Sequence, residues 1–364
     1  MTFLREAKRI SDMVFDEIGD AGHEQVSYFT DPETGLRAIV AIHDTTLGPS
    51  LGGTRILDYE TEDAALEDVL RLSEAMTYKA AAADLPLGGG KAVILGDPDE
   101  VRTEATLEAY GRAVDCLGGR YITSVDINSS AAEMDVVARE TDHVVGASDG
   151  LQNPSGVTAH GVFCGIRACV DYVYGEDDLE GLEVVVQGLG KVGRSLAEEL
   201  LEAGAAVTVS DVDREALEAF AAEHGTETVE PDAVYERSCD VFAPCAIGGI
   251  LNDETIPTLE CDIVAGAANN VLAERRHAEA LRERGILYAP DYVINAGGLI
   301  TVAKDHFGGT YEEAYAEAEA IEGRLRGMIE RADEEGTTVL EAAAAYAEER
   351  IAGADDGSRS APRL

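Results

Sequence analysis

Residues 183–211 read EVVVQGLGKVGRSLAEELLEAGAAVTVSD, and this stretch decides half of the fold. EVVVQ is a short apolar strand, KVGRSLAEELLEAG has the period of an amphipathic helix, and AVTVSD is a second strand. Between the first strand and the helix stands Gly188-Leu189-Gly190-Lys191-Val192-Gly193, with Arg194 next in the chain. Gly188 suits a tight turn, Gly190 lets a pyrophosphate approach the backbone, and Gly193 permits close packing of helix on strand. The helix N-terminus then faces the phosphates. Asp211 closes the second strand about 20 residues on, where an acid accepts hydrogen bonds from the adenosine 2′-hydroxyl and repels a 2′-phosphate. The pattern predicts a dinucleotide site that favours NAD over NADP, although Lys191 and Arg214 stand near enough to reach a phosphate.

Working outward, DREALEAFAAEHG reads as a helix, and CDVFAP, DIVAGA and ILYAP as apolar strands separated by helical or loop segments. Strand–helix–strand repetition of this kind builds a parallel, doubly wound sheet. GASDGLQNPSG, residues 146–156, is the densest turn signal in the chain and marks a domain boundary. A helix from Val157 to Tyr174 leads into the second unit. Before the boundary, QVSYFT and LRAIVAIHD read as strands joined by a turn at Asp31–Gly35. RYITS and a short segment at His143–Val145 read as further strands, with helices over Glu104–Leu117 and Ala131–Glu140. After Gly298 the chain is helical, with helices expected over Tyr311–Glu334 and Thr337–Ile351 and a frayed tail after them. The expected organisation is therefore two α/β domains. A mixed-sheet substrate-binding and oligomerisation domain covers residues 1–146, with the C-terminal helix, 335–364, packing back on it. A Rossmann-type domain covers 147–334.

Chemistry is expected at MTYKAAAADLPLGGGK, residues 76–91. A helix from about Glu62 fades over the alanines, Pro86 marks the exit, and Gly88, Gly89 and Gly90 read as a loop before the strand KAVIL. This turn can carry Lys79 and Lys91 to one cleft, where two crowded ammonium groups disfavour each other's charge and one pKa falls. The plain alternative is two surface lysines beside a glycine turn. Against it, only five lysines occur in the chain, and two of them flank this segment. Gly48–Arg55, GPSLGGTR, reads as a second glycine-rich loop. Asp126 ends a strand in a polar turn, where it can either serve a proton relay opposite Lys91 or simply cap the turn.

The chain of 364 residues carries 71 acidic against 28 basic side chains, a formal net charge of −43. Such self-repulsion needs screening, and at about 1 M salt the Debye length falls to roughly 3 Å. The acidity is read as adaptation to a salt-rich cytoplasm, and it makes nucleic acid and anionic membranes unfavourable partners. The six cysteines form no CxxC pair and the histidines no HxxxH spacing, so neither disulfides nor a metal is expected. No signal peptide and no apolar run long enough for a membrane span is read, which gives a soluble cytoplasmic protein.

LGGTR, MTYK, LPLGGGK, GRYITSVD, NPSGVTAHG, APCAIGG, AGAANN and APDYVINAGG, in this order, closely resemble the Glu/Leu/Phe/Val amino-acid dehydrogenases, with the leucine dehydrogenase branch nearest. The resemblance implies NAD-dependent oxidative deamination to a 2-oxo acid and ammonium, in a homo-oligomer with the active site in an interdomain cleft. It implies that Lys79 binds the substrate α-carboxylate and that Lys91 is the acid/base acting through a water. Asp126 serves proton transfer, and Gly52 and Gly53 line the substrate site. Thr158, Asn270 and Asn295 would hold the nicotinamide end, with Ala243–Cys245 flanking the adenosine side. Side-chain selection falls to Leu51, Ser124, Leu299 and Val302. Glutamate-selective relatives carry lysine where this chain has Leu51, which leaves a γ-carboxylate without a partner. A branched-chain substrate (leucine, valine or isoleucine) is expected, with phenylalanine or glutamate as the alternative. A regulatory relative that binds nucleotide or amino acid without turnover is the rival from another class. Ser124 and Leu299 stand where the leucine branch usually has alanine and valine, adding a hydroxyl and bulk; lesser departures are Asn128 for glycine, His160 for tyrosine and Lys304 for an acid.

Overall fold

A computed structural model describes Ile18, Gly19 and residues 22–151 and 153–358. The N-terminal stretch MTFLREAKRISDMVFDEI, whose sequence reads as an amphipathic helix, falls, but for Ile18, outside these residues. The chain forms two compact units: Met1–Gln152 with Asp305–Phe307 and Glu349–Leu364, and Asn153–Lys304 with Gly308–Glu348. The division thus lies at Gln152 rather than Gly146, and the returning C-terminal segment begins at Glu349 rather than at residue 335.

In the first unit, β1 (Gln25–Asp31) and β2 (Leu36–Asp44) form an antiparallel hairpin with Gly35 at φ +78° in its turn. They are followed by β3 (Ser50–Leu57), the helix α1 (Glu62–Ala82) and β4 (Gly88–Leu95). Helix α2 (Glu104–Asp115), β5 (Tyr121–Val125) and helix α3 (Ala131–Val137) complete the unit. The sheet order is β1-β2-β4-β3-β5, antiparallel across β2–β4 and parallel across β4–β3 and β3–β5. Period-two alternation sends Ala38, Val40 and Ile42 to one face with Tyr110, Met134 and Val137, and Ile39 and Ala41 to the other with Leu66, Val69 and Leu70 of α1. Each such side chain stabilises the fold by roughly 1.5–3 kcal/mol through burial.

Both glycine segments expected as loops are strands. A Cβ on Gly52 would lie 1.7 Å from the Gly90 carbonyl oxygen, and one on Gly89 would lie 2.2 Å from the Thr77 amide nitrogen. These glycines admit close approach of the neighbouring strand at Gly52 and of helix α1 at Gly89, which a strand can require as much as a turn. The strand expected at His143–Val145 is reduced to a single bridge between Thr123 and Val144.

The second unit opens with α4 (Pro154–Tyr174), three residues earlier than the Val157 start expected, because Pro154 occupies the first helical turn. It continues through β6 (Glu183–Gln187), α5 (Lys191–Glu202), β7 (Ala206–Ser210), α6 (Arg214–His224), β8 (Glu227–Thr228), β9 (Val241–Pro244), β10 (Ile263–Val264), α7 (His277–Glu283) and β11 (Leu287–Tyr288). All pairings are parallel and the order is β11-β10-β9-β6-β7-β8, a doubly wound sheet. Helices α8 (Gly297–His306), α9 (Tyr311–Glu335) and α10 (Val339–Ser358) follow. Helix α10 runs past Ile351 into the expected tail, of which residues 359–364 lie outside the described residues. Among the described residues no helix is long and apolar enough to cross a membrane.

Candidate active site

Strands β3, β4 and β5 place three chemical features side by side in the first unit. Gly53 of β3 pairs with Ser124 of β5, Thr54 pairs with Ala92 of β4, and Asp126 follows β5 directly. Lys91, only 5 % exposed in the middle of β4, donates from Nζ to Oδ2 of Asp126. A Cβ on Gly53 would lie 2.8 Å from the Asp126 Cβ and 3.0 Å from its Oδ2, so the missing side chain leaves room for the carboxylate. The Asp126 amide donates to Ser129 Oγ at 2.8 Å, and the Ile127 amide donates to Asp126 Oδ1 at 2.7 Å. Asn128 adopts φ +60° and donates from Nδ2 to the Ile56 carbonyl, so asparagine preserves a turn in which glycine is usual.

Burial pushes the Lys91 amine below the ordinary lysine range, against the opposing pull of Asp126. The cation that adds to the lowering is Arg55, not Lys79 as the crowding argument expected. Burial alone would raise the Asp126 carboxyl, but the Lys91 charge and hydrogen bond, Arg55 and the Ile127 amide together hold it below the usual carboxylate range. The result is an ion pair between a buried amine and a half-buried carboxylate, whose amine gives up its proton more readily than a solvated lysine. Lys79 lies half-buried in the last turn of α1. Leu51 and Ser124 are buried beside the pair's strands, at 2 % and 4 % exposure.

In the second unit the glycine fingerprint has the shape its sequence expects. Gly188 sits at φ +99°, a Cβ on Gly190 would meet nothing within 4 Å, and one on Gly193 would lie 2.0 Å from the Gly188 carbonyl oxygen. Open space over Gly190 and the exposed N-terminal residue Lys191 of α5 leave the backbone free to meet a pyrophosphate. Val192 is half-buried in the same turn. Asp211 accepts from the Leu189 amide at 2.5 Å through Oδ2 and from the Asp213 amide at 2.8 Å through Oδ1. Arg194 does not join the loop: it donates to Glu198 and Glu223 and lies over the Phe220 ring. Arg214 is likewise turned away, to Glu230.

Thr158 donates to the Pro154 carbonyl at 2.8 Å, and a Cβ on Gly298 would lie 3.3 Å from its Oγ1. Asn295 is buried and donates to the Ala267 carbonyl and to Asn269 Oδ1, whereas Asn270 is exposed at φ +52°. Ala243 is fully buried in β9 and has no surface to give a ligand; of the expected Ala243–Cys245 edge, Cys245 is the partly exposed member. Burial pushes its thiol up to about 12. Leu299 is buried and Val302 half-buried, three residues apart on one face of α8. Of the other departures, Lys304 finds Glu317 at 3.8 Å, and His160 donates from Nδ1 toward Glu199 at 3.0 Å. Outside these sites, Asp253, Glu274 and His277 converge within 4.8 Å, but Arg276 bridges both carboxylates.

Arg55 was not legible as a site residue, only as the end of the LGGTR motif. Its signal was the strand period: Gly53 and Arg55 share a face of β3, and Ser124 and Asp126 continue the same register beside them.

Comparison with known proteins agrees with this architecture. Residues 23–143 match the Glu/Leu/Phe/Val dehydrogenase dimerisation domain, and residues 150–215 and 211–356 match the Glutamate/Leucine/Phenylalanine/Valine dehydrogenase domain. The chain is 47 % identical to a leucine dehydrogenase of Bacillus cereus over 342 residues, covering 93 % of each. It is 44 % identical to a phenylalanine dehydrogenase of Lysinibacillus sphaericus over 359 residues, covering 96 % of this chain and 94 % of that one. The crystal structure of L-tryptophan dehydrogenase from Nostoc punctiforme superposes with a TM-score of 0.87 at 46 % identity, covering 94 % of this chain and 99 % of that one. With a mixed sheet that buries a lysine–aspartate pair, a doubly wound sheet that carries a glycine fingerprint, and these likenesses over most of its length, the chain belongs to the Glu/Leu/Phe/Val dehydrogenase family and is an amino-acid dehydrogenase, an oxidoreductase.

Proposed function

We propose that the protein oxidatively deaminates a branched-chain L-amino acid (leucine, valine or isoleucine) to its 2-oxo acid and ammonium with NAD as hydride acceptor. The observation that carries this reading is the pairing of buried Lys91 with Asp126 among the side-chain-free glycines of β3 and β4. NAD, when bound, supplies the hydride acceptor for the substrate Cα; Gly188, Gly190, Gly193 and Asp211 fit its pyrophosphate and ribose, with Thr158, Asn270 and Asn295 toward the nicotinamide. Lys79 binds the α-carboxylate. Lys91, with its pKa lowered by burial, takes a proton from the water that attacks the iminium carbon and returns it to the departing amine. Asp126, held as a carboxylate, stabilises the protonated lysine between these two transfers.

Leu51 supports the choice of an apolar side chain, because a buried leucine offers a γ-carboxylate no partner. An aromatic substrate is the second reading, favoured by the likeness to tryptophan and phenylalanine dehydrogenases. One methylene is worth only about 1–3 kcal/mol in an apolar pocket, so selectivity among these is a matter of small differences. The name of the matched dimerisation domain supports a homo-oligomer, and the net charge of −43 supports activity in a salt-rich cytoplasm.

The test is steady-state rates on a panel of L-amino acids with NAD and with NADP, in about 2–4 M KCl to screen the charge. Aliphatic substrates with NAD should lead, and K91Q should lose about 10²–10⁴ in kcat. A preference for glutamate contradicts the Leu51 argument. Bound NAD without any turnover points instead to a regulatory protein.

A further inference from the structure

Asp126 offers two oxygens, and they do different work. Oδ2 takes the Lys91 ammonium, while Oδ1 takes the Ile127 amide at 2.7 Å and Arg55 Nε at 3.3 Å. Arg55 is held at its other end as well, donating from Nη1 to Asp68 Oδ2 at 2.9 Å. Asp68 in turn accepts from Tyr59 at 2.8 Å and from Arg71 at 2.9 Å. Arg55 and Asp68 are 19 % and 15 % exposed, so the relay Lys91–Asp126–Arg55–Asp68 runs through a mostly dry region. A planar guanidinium with fixed donor directions can span two carboxylates, which a point-like ammonium cannot do in the same geometry.

We propose that Arg55 is a positioning residue for the acid–base pair: it fixes the Asp126 carboxylate so that Oδ2 faces Lys91, and with Asp68 as its counter-charge it sets the pH at which Lys91 releases its proton. The inference rests on the acid–base role given to Lys91 above. The charges that face the pair are Arg55 from β3 and Asp68 from α1, with Tyr59 and Arg71 bound to Asp68. Arg55 acts on Lys91 as a like charge and favours its neutral form; Asp68 acts as an opposite charge and favours the ammonium. Removing one or the other must therefore move the lysine in opposite directions.

The experiment is the pH profile of kcat/KM for amino-acid oxidation by the full-length protein in molar KCl. The acidic limb there reports deprotonation of the free enzyme's base. Burial keeps these charges from being screened as surface groups are. R55Q should move the limb to higher pH and lower the plateau about tenfold, while D68N should move the limb to lower pH. R55K retains the charge, so its limb should lie nearer the parent's than that of R55Q, although its plateau still falls. A merely structural Arg55 would lower the plateau or the melting temperature and leave the limb in place in all three variants, which overturns the proposal. A limb that moves the same way in R55Q and D68N overturns it too. If R55Q does not fold, R55K and D68N still decide the question. A parent protein with no amino-acid-dependent NADH formation defeats the assigned function and this inference together; an active parent with unmoved limbs defeats this inference alone.

Discussion

At Gly53 a methyl group would sit 2.5 Å from the Val125 carbonyl oxygen and 2.8 Å from the Asp126 Cβ, neither of which can move without shifting β5 or the turn that follows it. G53A is therefore expected to cost about 1–3 kcal/mol, the usual penalty of overpacking, and to displace Asp126 from Lys91. Chemical unfolding and turnover measured on one preparation check both effects; a variant with parental turnover would mean the turn absorbs the methyl. His160 makes a separate case. Hydrogen bonds to the Cys164 sulfur and to the Glu199 carboxylate raise its pKa to about 10, against burial, which favours the imidazolium. A pKa raised in the folded state stabilises fully below the unfolded value of about 6.5 and loses that contribution as pH rises through about 10. The unfolding free energy of H160Q should accordingly fall below the parent's at pH 6–8, and the gap should close above pH 10. A gap independent of pH would show that His160 contributes packing alone.

At the scale of elements, the fingerprint and its flanks were legible because the information is local: strand, turn and helix follow one another within residues 183–211, and the glycine roles need no distant neighbour. The glycines of β3 and β4 misled the reading for the opposite reason. Their requirement comes from other elements, Gly90 of the neighbouring strand facing Gly52 and Thr77 of α1 facing Gly89, and composition alone cannot separate such close approach from a turn. Pairing of Lys91 with Asp126 depends in the same way on sheet register, which the parallel strands set through α1 and α2. From the residues alone that pairing was one of two readings of Asp126, beside a turn cap, and the resemblance chose between them. The short strand β8 escaped notice since Glu227 and Thr228 carry no apolar pattern. The loop before α5 makes its own prediction. Asp211 is fixed by the Leu189 and Asp213 amides, and Arg214, the nearby cation, is occupied by Glu230. A 2′-phosphate would meet a fixed carboxylate, with exposed Lys191 as the cation left near the loop. D211S should raise the kcat/KM ratio of NADP to NAD by at least about tenfold, since removing a like charge relieves a penalty of several kcal/mol. An unchanged ratio would place the discrimination elsewhere.

Across the whole molecule, charge sets the terms on which the fold exists. With 71 acidic and 28 basic residues, a net excess of 43 negative charges remains after every Lys and Arg charge is balanced. Salt acts on this surface in two directions. It weakens the exposed ion pairs, such as Arg214–Glu230 and Arg237–Glu227, each worth about 0–1 kcal/mol at best. It also weakens the repulsion among the unpaired acids, which grows with every pair of like charges inside a Debye length. Because the unpaired acids outnumber all the bases, relief of repulsion should win, and the melting temperature should rise with KCl. If screening is the cause, most of the gain must come as the Debye length shrinks from about 10 Å at 0.1 M to about 3 Å at 1 M, and NaCl should serve as well as KCl. Thermal unfolding followed from 0.1 to 4 M of each salt makes the comparison. A melting temperature that is flat up to 1 M and climbs only beyond it would assign the stabilisation to exclusion of salt from the protein surface and strengthened apolar burial, not to the acidic surface.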